Sequence, residues 1–186
     1  MSEMEAILRA NRAYATEHGT IDVPLRPARK LAVLTCMDSR IQLFPVLGLR
    51  LGDAHVIRNA GGRASDDAIR SLMVSTNLLG TREIIVMHHT DCGQHRFTNQ
   101  DIREHLIEHR GVDLGEGHDF LTFTRLYDSV GEDVAKIRAS TLLPPDITVS
   151  GLIFDVATGL VHAVDTPTVT DQLLTEIGTP VADADR

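Results

Sequence analysis

Apolar positions recur along this chain with two periods, and the change from one to the other marks out its elements. Over residues 3–17, Met4, Ile7, Leu8, Tyr14 and Ala15 fall at helical intervals, which predicts an amphipathic N-terminal helix. Gly19 ends it, and Pro24 and Pro27 make the next stretch an extended linker. Leu31–Cys36 (LAVLTC) is a continuous apolar run rich in β-formers, the pattern of a strand buried on both faces. His55–Ala60 predicts a second strand, stopped by Gly61-Gly62. Ser65 is a good N-cap, and Asp66 and Asp67 suit the first turn of a helix, where the dipole favours anions. That helix would bury Ile69, Leu72, Met73, Leu78 and Leu79 and end at Gly80. Glu83–His89 (EIIVMHH) predicts a third strand. Further along, residues 99–109 and 129–140 predict helices, and the glycine-rich Gly111–His118 a loop. TVSGLIFDV, the turn Ala157-Thr158-Gly159 and LVHAV read as strand, turn and strand. The acidic, Thr-rich tail after Pro167 allows a short helix at Asp171–Ile177.

Strand–helix–strand alternation from Leu31 to His89 predicts an α/β fold with a mainly parallel central sheet flanked by helices. The length suits a single domain over residues 1–186, with 1–29 as a helical arm and linker and 166–186 as a tail. A hydrophobic content of 42% is enough for a real core and excludes wholesale disorder. Eighteen basic against 26 acidic residues leave a net charge of −8 with no basic block, so contact with nucleic acid or an anionic membrane is not expected. There is no secretory signal and no apolar run of about 20 residues, which points to a cytoplasmic, non-membrane protein. Two cysteines cannot build a disulfide framework or a four-cysteine metal site.

Both cysteines fall at carboxyl ends of predicted parallel strands, in CMDSR (36–40) and HHTDCG (88–93). Ligand sites in such sheets form beyond those ends. If the two strands are neighbours, Cys36, His89 and Cys92 converge there. Two thiolates and an imidazole suit Zn²⁺, and three protein ligands leave one tetrahedral position open, as catalytic sites do. His88 and His89 should point to opposite sides of a strand, and the short His89-x-x-Cys92 chelate favours His89 as the ligand. Asp38 is the candidate fourth ligand, and Arg40 can hold its carboxylate by a bidentate pair. Spacing alone leaves two other readings open: a pair of buried reduced cysteines packed as small hydrophobes, or a Cys36–Cys92 disulfide.

The paired motifs Cys36-x-Asp38-x-Arg40 and His89-x-x-Cys92-Gly93, with AHVIRNAGG (54–62) between them, resemble the zinc signature of the β-class carbonic anhydrases. The resemblance spans about residues 30–95 and, more loosely, GLIFDVATG (151–159), and it is nearest to the short actinobacterial-type members. It implies a parallel sheet with an antiparallel extension, and an obligate homodimer whose N-terminal helix packs across the partner, dimers often pairing into tetramers. It implies one zinc ion per subunit on Cys36, His89 and Cys92, with Asp38 and Arg40 as the catalytic dyad. Pro27 stands where many plant-type members carry a substrate-binding Gln. The Trp of a non-catalytic bicarbonate site known in some bacterial members is missing, although Arg58 matches its arginine. Gly61-Gly62 replaces the Ala-Asn of many relatives.

The implied activity is reversible hydration of CO₂ to bicarbonate and a proton by water activated on zinc. Asp38 would orient that water, amides near Gly93 would support the product oxygen, and His88 and His95 are candidate proton shuttles. If the Asp38–Arg40 pair broke, Asp38 would close onto zinc as a fourth ligand and shut the site. Hydrolysis of carbonyl sulfide or carbon disulfide on the same site is one alternative, and a non-catalytic zinc- or bicarbonate-binding protein is another.

Overall fold

A computed structural model describes residues 2–19 and 21–165; the tail and its predicted helix at Asp171–Ile177 lie outside the described residues. In chain order the elements are α1 (Glu3–His18), β1 (Leu31–Cys36), α2 (Leu43–Val46), β2 (Ala54–Asn59), a 3₁₀ turn at Ala60–Gly62, α3 (Asp66–Asn77), β3 (Glu83–His89), α4 (Gly93–Arg96), α5 (Asn99–Arg110), α6 (Leu126–Ala139), β4 (Thr148–Phe154) and β5 (Val161–Val164). The sheet order is β2-β1-β3-β4-β5. The first four strands run parallel, and β5 pairs antiparallel to β4 as the expected extension.

Strand β1 is buried along its whole length because both faces of the sheet are covered. Ala32, Leu34, Ile84 and Val86 pack against Ile69 and Leu72 of α3 and Val130, Val134 and Ile137 of α6. The opposite core gathers Leu31, Val33, Met87, Phe123 and Phe154 with Ile41, Leu43 and Leu49 from the segment after β1. Complete burial of side chains such as Leu34 or Ile84 stabilises the fold by about 1.5–3 kcal/mol each. Among the described residues no helix is long and apolar enough to cross a membrane.

Local chemistry sets the helix ends. Ser2 and Glu5 form a capping box at α1, Thr98 and Asp101 another at α5, and Ser65 Oγ accepts from the Ala68 amide at α3. Several sequence expectations need correction. β2 runs one residue earlier than expected, with Ala60 in the 3₁₀ turn, and α6 begins at Leu126. Helix α3 ends at Asn77, before Gly80, and its buried face carries Ser75 and Thr76 while Leu78 is exposed. The two hydroxyls are accommodated by hydrogen bonds, Ser75 with Thr81 and Thr76 with the Leu72 carbonyl. Helix α1 buries none of its residues: Met4 is 65% exposed and Ile7 60%.

Candidate metal centre

Strands β1 and β3 are hydrogen-bonded neighbours, so the loops that follow them meet at one edge of the sheet. The first carries Cys36, Asp38 and Arg40; the second carries His89, Asp91 and Cys92. The donor atoms of Cys36, His89 and Cys92 all lie within 4.8 Å of one another, and all three residues are buried. The two sulfurs are 3.9 Å apart. Two sulfurs on a tetrahedral zinc, each at about 2.3 Å, would stand roughly 3.8 Å apart.

The histidines separate as strand alternation requires. His88 shares the face of Ile84 and Val86 and turns to α6, where Nδ1 lies 2.8 Å from Ser129 Oγ and Nε2 3.2 Å from Asp133 Oδ2. His89 turns to the cysteines. Its Nδ1 lies 2.9 Å from the Thr90 carbonyl, which must receive a proton, so Nε2 keeps its lone pair. Buried Nε2 has no hydrogen-bond partner. An orphaned basic nitrogen beside two thiols fits a metal ligand, because a bound cation removes the desolvation cost.

The sulfurs influence one another. A hydrogen bond from Cys92, then His89 and the Asp38 and Gly61 amides, push the Cys36 thiol below its ordinary range against the opposing effect of burial. Cys92 moves up, chiefly because of Cys36 and then burial, although the Gln94 and His95 amides point at its sulfur. One thiolate therefore hinders the second, and a dication would relieve that conflict.

Asp38 lies beside the three donors, its Oδ2 3.8 Å from His89 Nε2. Arg40 grips it in a fork, Nε to Oδ1 at 3.0 Å and Nη2 to Oδ2 at 2.7 Å, and the Arg40 amide adds a bond to Oδ1 at 2.9 Å. Those contacts, helped by His89, hold the Asp38 carboxyl well below the usual carboxylate range.

The family pattern for carbonic anhydrase matches residues 31–112. Beta-carbonic anhydrase 1 of Mycobacterium tuberculosis is 37% identical over 142 residues, which span 76% of this chain and 86% of that protein. The chain belongs to the β-carbonic anhydrase family. A crystal structure of the carbonic anhydrase from Streptococcus mutans superposes with a TM-score of 0.85 and 52% identity, over 89% of this chain and 99% of that one. A carbon disulfide hydrolase from Acidianus sp. is 36% identical over 153 residues, covering 70% of this chain and 74% of its own.

Measured against what β-carbonic anhydrase membership implied, His88 stands away from its expected place, and Arg58, matched without an expected role, has a structural one. His88 is fully enclosed, faces α6 rather than the donors and stacks on Phe123, so it is no route for a proton to solvent. Arg58 is committed to carbonyls, donating to Cys36 at 2.9 Å, Asp38 at 2.6 Å and Ile41 at 3.4 Å. It braces the CMDSR loop. His95 is half-buried, its Nε2 2.7 Å from the Thr124 carbonyl, and it lines a cavity of about 330 Å³ with Arg96, Phe123 and Ser129. Gly93 is exposed beside Cys92.

Several contributors were missed in the sequence. Asp91 contacts Arg40, Gly62 backs directly onto Cys36, and Asp133 with Arg63 flanks His88. Residues 120–124 had no account; they close over α4, with Gln94 donating to the Phe120 carbonyl and Asn99 accepting from the Phe120 amide. Asp91 was legible only as a turn residue. Gly62 sat in a Gly-Gly pair that marked a strand end.

Proposed function

We propose that this chain catalyses the reversible hydration of CO₂ to bicarbonate and a proton, with Cys36, His89 and Cys92 holding one zinc ion per subunit. The observation that carries the reading is the Asp38–Arg40 fork standing intact beside three convergent soft donors, since a purely structural zinc site needs no such pair. When bound, zinc supplies Lewis acidity that brings proton loss from water toward neutral pH, less strongly here because two thiolates offset its charge.

The chain's own groups do the rest. Asp38 stays ionised and accepts a hydrogen bond from the reacting water, which aims a lone pair at CO₂. Arg40 fixes the carboxylate's angle and keeps it off the metal; without that grip Asp38 would swing toward His89 and close the site. The Thr90 carbonyl holds the His89 ring in the ligating tautomer. The Gly93 amide is offered to the product oxygen. His95 is the imidazole we assign to carrying the proton outward.

The apolar face of α1, with Met4, Ile7 and Leu8 bare in the single chain, supports a homodimer in which this arm lies on a second copy, and dimers can pair into tetramers. Cys36 and Cys92, buried and not joined in a disulfide, support a cytoplasmic location.

The test is stopped-flow CO₂ hydration with metal content measured on the same preparation. Wild type should carry one zinc per chain and be active. Cys92→Ser should lose both zinc and activity, and Asp38→Ala should keep zinc while losing at least about 100-fold in rate. An Asp38→Ala enzyme with full activity would refute the catalytic assignment, leaving a non-catalytic zinc protein. Relatives that act on carbon disulfide favour a second reading, hydrolysis of that linear molecule or of carbonyl sulfide on the same donors. Parallel assays with the three substrates decide between them.

A further inference from the structure

Arg40 does not hold Asp38 alone. Its Nη1 donates to Asp91 Oδ2 at 2.7 Å and its Nη2 donates to the Asp91 carbonyl at 2.9 Å. With Nε and Nη2 on Asp38, four of the five guanidinium donors are committed, two to each aspartate. Asp91 sits between His89 and Cys92 with φ of 55°, a left-handed conformation that aspartate tolerates better than most side chains. Its second oxygen takes Arg96, so the carboxylate is itself held from two sides.

These groups are too exposed for the pairs to add much stability: Arg40 is 46% and Asp91 42% exposed at the side chain. Their geometry has a different consequence. Asp38 and Arg40 share one loop, and a two-residue fork on a loop could rotate as a unit. Asp91 belongs to the other loop, the one that carries two of the three donors. A guanidinium anchored there has its plane fixed relative to the donors, and Asp38 inherits that orientation.

We propose that Asp91 is a positioning residue: by anchoring Arg40 to the His89–Cys92 loop it sets the angle at which Arg40 presents Asp38 to the reacting water. The proposal rests on the reading of Asp38 and Arg40 as the catalytic pair. It predicts that Asp91 works only through Arg40.

Asp91→Gly removes the carboxylate without straining the positive φ, and Asp91→Asn keeps one acceptor and a tolerated backbone. Asp91→Gly should retain wild-type zinc content and KM but lose about 10–100-fold in kcat for CO₂, the range typical of partners behind first-contact groups. Asp91→Asn should fall between the two. In an Arg40→Ala background, Asp91→Gly should cost nothing further. A second readout needs neither metal nor substrate. In metal-free wild type the Arg40 Nε–H should give a sharp, slowly exchanging NMR signal, which Asp91→Gly should broaden or abolish. Unchanged kcat in Asp91→Gly, full additivity with Arg40→Ala, zinc loss that accounts for the rate loss, or an undisturbed Arg40 signal would each overturn the proposal. If wild type proves inactive toward CO₂, the functional reading fails, and the NMR comparison still decides whether Asp91 anchors Arg40.

Discussion

A Cβ built on Gly62 would stand 2.9 Å from the amide nitrogen of Cys36. The obstacle is backbone, so nothing flexible can move aside, and φ at Gly62 is +71°. Gly62→Ala should therefore cost about 2–5 kcal/mol, from overpacking plus left-handed strain. It should also lower zinc occupancy by displacing Cys36. Gly48→Ala is the control, because its φ is +59° but nothing lies within 4 Å of the added carbon. It should cost about 1 kcal/mol in urea unfolding and leave zinc content alone.

Asp133 is nearly enclosed and faces two cations or potential cations, Arg63 Nε at 2.9 Å and His88 Nε2 at 3.2 Å. Removing it leaves Arg63 buried without its main partner. Asp133→Ala should destabilise the fold by about 3–5 kcal/mol. Neighbouring Glu132 also touches Arg63 but is 66% exposed, and Glu132→Ala should cost less than about 1 kcal/mol. Equal losses for the two variants in chemical denaturation would contradict this ranking.

Asp113 ties the loop after α5 back onto the helix. The Arg103 guanidinium, and then the Gly115 amide, hold its carboxyl down to about 2. A depressed folded-state value means the contribution is fully present above the ordinary value near 3.8 and is lost as pH falls through about 2. The Asp113 side-chain carbon should titrate by NMR with a midpoint near 2, returning toward the ordinary value in Arg103→Gln. An ordinary midpoint in wild type would show that the loop is not clamped.

None of the residues of helix α1 is buried against the other described residues. Ile7→Glu should shift the protein toward monomer in sedimentation velocity while far-UV circular dichroism of the sheet domain stays native. A wild type that sediments as a monomer, or an Ile7→Glu variant that remains fully dimeric, would remove α1 from the interface.

The metal-donor cluster was legible because it depends on two one-dimensional facts. Cysteines at the ends of β1 and β3 meet if those strands pair, and alternation sends His88 and His89 to opposite faces. The supports were not legible, because each reaches across the chain to a partner that no period marks. Arg40 meets Asp91 from 51 positions away, and Asp133 meets His88 from a helix three elements later. The stripe of α3 was misjudged for a related reason: Ser75 and Thr76 are buried because Thr81 and a helix carbonyl satisfy their hydroxyls, which hydrophobicity alone does not register. Residues 120–124 follow no period at all. Their order comes from side chains of Gln94 and Asn99.

The two cysteine sulfurs lie 3.9 Å apart yet 56 positions apart along the chain. Any ion that grips both closes a long loop that an unfolded chain keeps only at an entropic penalty. Binding therefore becomes mechanical: free zinc at 100 times its dissociation constant would add about 2.7 kcal/mol of resistance to unfolding. Metal scarcity would then shorten the protein's lifetime as well as silence its chemistry, because the empty chain opens to proteases more often. Abundance in the cell would follow zinc supply with no change in synthesis.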